Sequence, residues 1–94
     1  MRLRSDEIAV MLALLRDHPR GRSDLGIALE LSLNDDYVYK LLVRLRVSRF
    51  VCVDSVPGTV TQAYRNFLTA NGWLKAVMLE RSRSSKERAQ LCGG

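Results

Sequence analysis

Tyr37, Tyr39, Lys40 and Arg44 carry the clearest chemistry in this 94-residue chain. They lie on the outward face of a helix whose inward face is spelled by Val38, Leu41, Leu42 and Leu45 at helical spacing. Asp36, Val43 and Val47 complete the outward face. Two exposed tyrosines beside a lysine and an arginine exceed what a merely solvated face requires. Such a face suits recognition of a polyanion.

The charge distribution points the same way. The formal net charge is +5. Residues 1–33 balance five basic against five acidic side chains, and residues 50–72 balance Arg65 against Asp54. The excess therefore lies in two places. One is residues 34–49, with Lys40, Arg44, Arg46 and Arg49 against Asp35 and Asp36; the other is residues 73–94.

The segment before the outward face has its own grammar. Ile27-Ala28 and Leu31 precede a two-residue turn, Ser32-Leu33, and Asn34 opens the next helix. This suits two short helices packed across a tight turn, the second presented outward to lie in a DNA groove.

The flanking elements follow from local signals. Ser5 is the expected N-cap of a first helix, with Asp6 and Glu7 in its first turn. Ile8, Val10, Met11, Leu12, Leu14 and Leu15 form its apolar stripe, and His18-Pro19 ends it. Arg20-Gly21-Arg22 is a short basic turn. Ser23 caps the second helix, where Leu25, Ala28, Leu29 and Leu31 are expected to face the core. Asn34 caps the third, aided by Asp35 and Asp36.

Phe50 to Val53 is rich in β-formers, Asp54-Ser55-Val56-Pro57-Gly58 signals a turn, and Thr59 to Phe67 reads as the returning strand. Thr69 caps a fourth helix despite the cost of Gly72. Residues 1–80 are read as one domain, mainly α with a small β-hairpin, and residues 81–94 as a polar basic tail or helix extension.

Other chemistries find little support. The single histidine, His18, sits at a helix end, and no Gly-rich phosphate loop, Cys/His cluster or nucleophile motif occurs, so neither an enzyme nor a metal or cofactor site is expected. No run of about 18 apolar residues suggests a membrane span. Cys52 and Cys92 lack metal-type spacing; a reduced cytoplasmic setting and a small buried Cys52 are the expectations.

Three helices, a two-stranded wing and a further helix make the order of a winged helix-turn-helix. On Ile27-Ala28, Leu31, Val38, Leu42, Leu45 and Phe50-Val51, the chain resembles bacterial and phage winged-helix DNA-binding regulators of the MarR, ArsR and PadR type. Phe67-Leu68-Thr69 followed by Gly72 is similar to the start of the helix after the wing in those families. The resemblance covers about residues 5–80.

It implies a dimeric, sequence-specific transcription regulator that reads double-stranded DNA with the helix at about 34–48. By position it implies Asn34, Tyr37, Tyr39, Lys40 and Arg44 as DNA-reading residues. Arg22, at the start of the second helix, is implied as a phosphate contact, and Gln62 and Arg65 as wing contacts. A dimer would use the first and fourth helices, through Met11, Leu14, Trp73, Val77 and Met78.

Two features depart from the pattern. Asp35 and Asp36 stand at the tip of the reading helix, and residues 54–58 carry no lysine or arginine. These favour an alternative, a winged-helix protein-interaction module such as a phage or plasmid adaptor or inhibitor. A DNA-binding role in plasmid partition or replication is a further alternative.

Overall fold

Among the described residues six elements follow one another: α1 (Ser5–Arg16), α2 (Asp24–Leu31), α3 (Asp35–Val47), β1 (Val51–Ser55), β2 (Tyr64–Leu68) and α4 (Ala70–Cys92). The computed structural model describes the backbone of residues 3–55 and 64–92, and side chains over 3–54 and 64–83. The fold is mainly α with a small β wing, as the sequence led us to expect.

The core gathers one stripe from each helix. Val10, Met11 and Leu14 of α1 pack with Ile27 and Ala28 of α2, and with Val38, Leu41, Leu42 and Leu45 of α3. Val51, Leu68 and Ala76 close it from the wing and α4. All four residues of the expected α3 stripe are buried.

The apolar face of α2 is not the one expected. Leu25 and Leu29 are 59% and 73% exposed, whereas Ile27 and Ala28 are buried and Leu31 is half-buried. With 3.6 residues per turn, Leu25 and Leu29 stand about 160° and 200° round the axis from Ile27. An eight-residue helix that is apolar on both sides can bury only one of them against α1 and α3.

Other expectations shift as well. The N-cap of α1 is Arg4 rather than Ser5, and Glu7 Oε1 accepts from the Arg4 backbone N–H at 3.4 Å. Met11 and Leu14 are 0% and 1% exposed, so they complete the monomer core and offer no surface to a second copy. Cys52 is exposed, because Val51 and Cys52 point to opposite faces of the wing and Val51 takes the buried one.

β1 and β2 pair antiparallel, with Val51 opposite Leu68 and Ser55 opposite Tyr64. Asp54 and Ser55, expected in the turn, belong to the strand. Val56-Pro57-Gly58 and the start of the expected second strand, Thr59 to Ala63, lie outside the described residues. A contact the sequence did not disclose ties the wing down: Arg22 and Asn66 exchange both backbone hydrogen bonds, at 3.0 and 2.7 Å. The short basic turn after α1 thus forms part of the wing's edge.

Backbone geometry explains two junctions. Ser32 ends α2 in the left-handed region (φ 56°), making the tight turn between the two helices. Thr69 Oγ1 accepts from the Gly72 N–H at 3.0 Å, the capping role expected of it, and donates to the Arg49 carbonyl at 2.6 Å. From there α4 runs without a break past Arg81 to Cys92.

Candidate nucleic-acid interface

The buried half of α3 fixes its exposed half. Because Val38, Leu41, Leu42 and Leu45 all point inward, Asp35, Asp36, Tyr37, Tyr39, Lys40, Arg44 and Val47 are left exposed. The helix is capped by Asn34, whose side-chain oxygen accepts from the Asp36 N–H at 2.8 Å. Asp35 Oδ1 accepts from the same N–H at 3.0 Å. Both aspartates also lie at the positive end of the helix dipole, so they have a structural role at the tip.

The candidate reading residues differ sharply in what already holds them. Lys40 is exposed and makes no ion pair among the described residues. Tyr39 is 53% exposed, and the Arg46 guanidinium lies 5.7 Å from its ring centre, a cation–π contact along the helix. Tyr37 and Arg44 are engaged across the fold instead. The Tyr37 hydroxyl donates to Asp6 Oδ2 of α1 at 2.5 Å. Arg44 stands 3.7 Å from Glu7 Oε1, a carboxylate on a side chain that is only 1% exposed.

The Tyr37 bond has a pH signature. Donation to Asp6 raises the phenol pKa above its ordinary value of 10.0, with desolvation and the Asp6 charge adding to the effect. A pKa raised in the folded state gives a stabilisation that is complete below pH 10 and is lost as pH rises through the folded value. The melting temperature of wild type should therefore exceed that of Tyr37→Phe at pH 8, and the gap should close in the alkaline range. A gap that stayed constant to the alkaline limit would contradict this bond.

A second basic locus sits at the start of α2. Arg20, Arg22 and Arg65 line an open cleft of about 320 Å³ together with Asp17, Gly21, Ser23 and Gly26. Ser23 Oγ caps α2 by accepting from the Gly26 N–H at 3.0 Å. Arg22 is heavily committed here: its Nη1 lies 3.0 Å from both Asp17 and Glu30, and its Nη2 donates to the Gly26 carbonyl at 3.2 Å. Glu30 also takes Arg16 at 3.0 Å. Arg65, on β2, donates to the Arg20 carbonyl at 3.4 Å. Gln62 lies outside the described residues.

Sequence reasoning missed three participants. Asn66 is 1% exposed and donates to the Arg22 carbonyl (3.0 Å) and to Asp24 Oδ1 (2.6 Å), joining wing to α2. Its partners lie 44 and 42 residues away, and no local pattern signals them. By local pattern Asp6 and Glu7 signal only a favourable charge in the first turn of α1. For Glu7 a further signal was present: it precedes Met11 by four positions and Leu14 by seven, which places it on the buried stripe.

No family model matches the chain, and no curated protein does. Solved structures do. MepR, a transcription regulator of the Staphylococcus aureus multidrug efflux pump MepA, superposes with a TM-score of 0.84 at 14% identity, over 98% of this chain and 66% of that one. Lactococcus lactis ZitR gives 0.83 at 16% identity, over 99% and 62%. A MarR family transcriptional regulator from Silicibacter pomeroyi gives 0.82 at 18% identity, over 97% and 62%. The chain thus spans about two thirds or less of the length of these structures. Across that span its fold is the winged helix-turn-helix of MarR-family transcriptional regulators.

Proposed function

We propose that this chain is a DNA-binding transcription regulator that lays α3 in the major groove of double-stranded DNA. The observation that carries the reading is the two-sided character of α3. Its apolar side is locked into the core, while Tyr39 and Lys40 project outward beyond a well-capped N-terminus. A helix held this way presents donors at fixed spacing, which is what reading base edges requires. Lys40 supplies a point charge for phosphate or a guanine edge, and Tyr39 a ring and hydroxyl for thymine methyl or phosphate. Asn34 stands at the tip of α3. Arg20 and Arg65, beside the N-terminus of α2, supply a phosphate contact outside the groove, with Arg22 ordering that cleft.

The experiment is a fluorescence-anisotropy titration of short duplexes at about 50 mM salt, where phosphate contacts are strongest. Lys40→Ala should weaken binding to all duplexes and lower the salt slope by about 1, with an unchanged melting temperature. Equal affinity of Lys40→Ala and wild type would remove α3 as the reading element.

The regulator is proposed to act as a homodimer in the cytoplasm. No helix among the described residues is long and apolar enough to cross a membrane. Trp73, Leu74 and Met78 are 40%, 55% and 64% exposed along α4, with Val77 half-buried between them. Such a strip is more apolar surface than an isolated helix face requires. Light scattering should return about twice the 10.6 kDa chain mass at micromolar concentration.

A second reading, a protein-interaction module, draws on Leu25 and Leu29. They form an exposed apolar pair one turn apart on α2. Co-purification of a stable protein partner, together with silence on DNA, would favour it.

A further inference from the structure

Two carboxylates of α1 meet two polar side chains of α3, one through a hydrogen bond and one through an ion pair. Asp6 accepts from the Tyr37 hydroxyl, and Glu7, at 1% exposure, faces the Arg44 guanidinium at 3.7 Å. Asp6 and Glu7 are consecutive on α1, and Tyr37 and Arg44 are seven residues apart on one side of α3. The two contacts therefore span two turns of the helix at its border with α1. Glu7 Oε2 is buried without a hydrogen-bond partner among the described residues, so Arg44 is the cation that offsets this charge.

We propose that Asp6 and Glu7 are positioning residues that clamp Tyr37 and Arg44 to the protein, withdrawing both from DNA and confining readout on α3 to Tyr39 and Lys40. The proposal rests on the DNA-binding reading above. Arg44 is 43% exposed, but a buried carboxylate 3.7 Å away already offsets its charge, so a phosphate contact there adds little counterion release. A phenol already donating to a carboxylate has no proton left for a phosphate oxygen. The clamp lowers affinity for DNA of any sequence, so that discrimination rests on fewer and better-fixed contacts.

The salt dependence of binding to a random-sequence duplex of about 25 base pairs reads the clamp directly, since each neutralised phosphate contributes about 0.9 to the slope. Circular dichroism melts in the same buffers confirm that each variant is folded. Arg44→Gln should leave the slope unchanged and affinity within about twofold. A slope lower by about 0.9 would show Arg44 on DNA and overturn the clamp. Glu7→Gln keeps the shape of the side chain and frees the Arg44 charge. It should tighten binding by about tenfold at 50 mM salt and steepen the slope by about 0.9.

In the Arg44→Gln background the gain from Glu7→Gln should vanish. The same gain in both backgrounds would mean simple long-range charge and would overturn the proposal. Tyr37→Phe should bind within about twofold of wild type; a loss of tenfold would place its hydroxyl on DNA. Lys40→Gln separates the two levels of inference. If it lowers the slope and Arg44→Gln does so too, the clamp fails and the DNA reading stands. Wild-type silence on the duplex at 50 mM salt removes the DNA reading and the clamp's function with it.

Discussion

Gly72→Ala should destabilise the protein by about 3 kcal/mol or more, enough to remove much of the stability of a small domain. A Cβ at residue 72 would lie 1.8 Å from the Phe50 carbonyl oxygen, and 2.7 Å from its carbon. These are backbone atoms at the point where α3 hands over to the wing, so no side chain can swing aside. The same carbonyl accepts from the Thr69 N–H at 3.0 Å, which ties the first turn of α4 to the residue before β1. Relief would require α4 to move off the wing, breaking that bond and the one from Thr69 Oγ1 to the Arg49 carbonyl. In an unconstrained helix alanine outranks glycine by about 1 kcal/mol, so a stability gain in a thermal melt would refute the close approach.

Leu42→Ala is expected to cost about 2–5 kcal/mol, which lowers the melting temperature by roughly 10 °C or more. Leu42 is fully buried in the cluster shared by α1, α2 and α3. It stands two residues beyond Lys40 on the opposite side of the same helix. Truncation leaves a cavity under the face proposed to read DNA. Affinity should fall as well, because α3 loses the packing that orients Tyr39 and Lys40. The contrast with Lys40→Ala is the useful one: that substitution should change affinity alone. Equal melting temperatures for Leu42→Ala and wild type would mean that α3 is not seated as described.

Much of this architecture was legible from periodicity and capping residues. The α3 stripe, the Asn34 and Thr69 caps and the hairpin after α3 are all local features, each written within a few residues. What escaped was non-local or ambiguous at short range. In α2, eight residues carry apolar side chains on two faces, and only the neighbouring helices decide that Ile27 and Ala28 go inward and Leu25 and Leu29 outward. Gly72 reads as a helix defect until the Phe50 carbonyl is placed beside it.

The candidate interface was legible in its exposure but not in its engagements. Tyr37 and Arg44 do lie on the outward face of α3, as the spacing requires. Periodicity gives direction about an axis; it cannot tell that Asp6 waits 31 residues upstream to accept from Tyr37. Arg22 is similar: beside a helix N-terminus it reads as a phosphate ligand, yet Asp17 and Glu30 meet its guanidinium on the protein. Glu7 was the one partner the sequence could have exposed, since a glutamate on an apolar stripe needs a cation nearby.

The central claim is that this winged helix binds duplex DNA through charge presented on α3 and around the N-terminus of α2. Its most direct test is the affinity of the wild-type chain for duplex DNA measured across about 50 to 200 mM salt. The account predicts saturable binding at the low end, falling along a straight line in log affinity against log salt, with a slope of several units. Absence of binding at about 50 mM, or an affinity indifferent to salt, would contradict it.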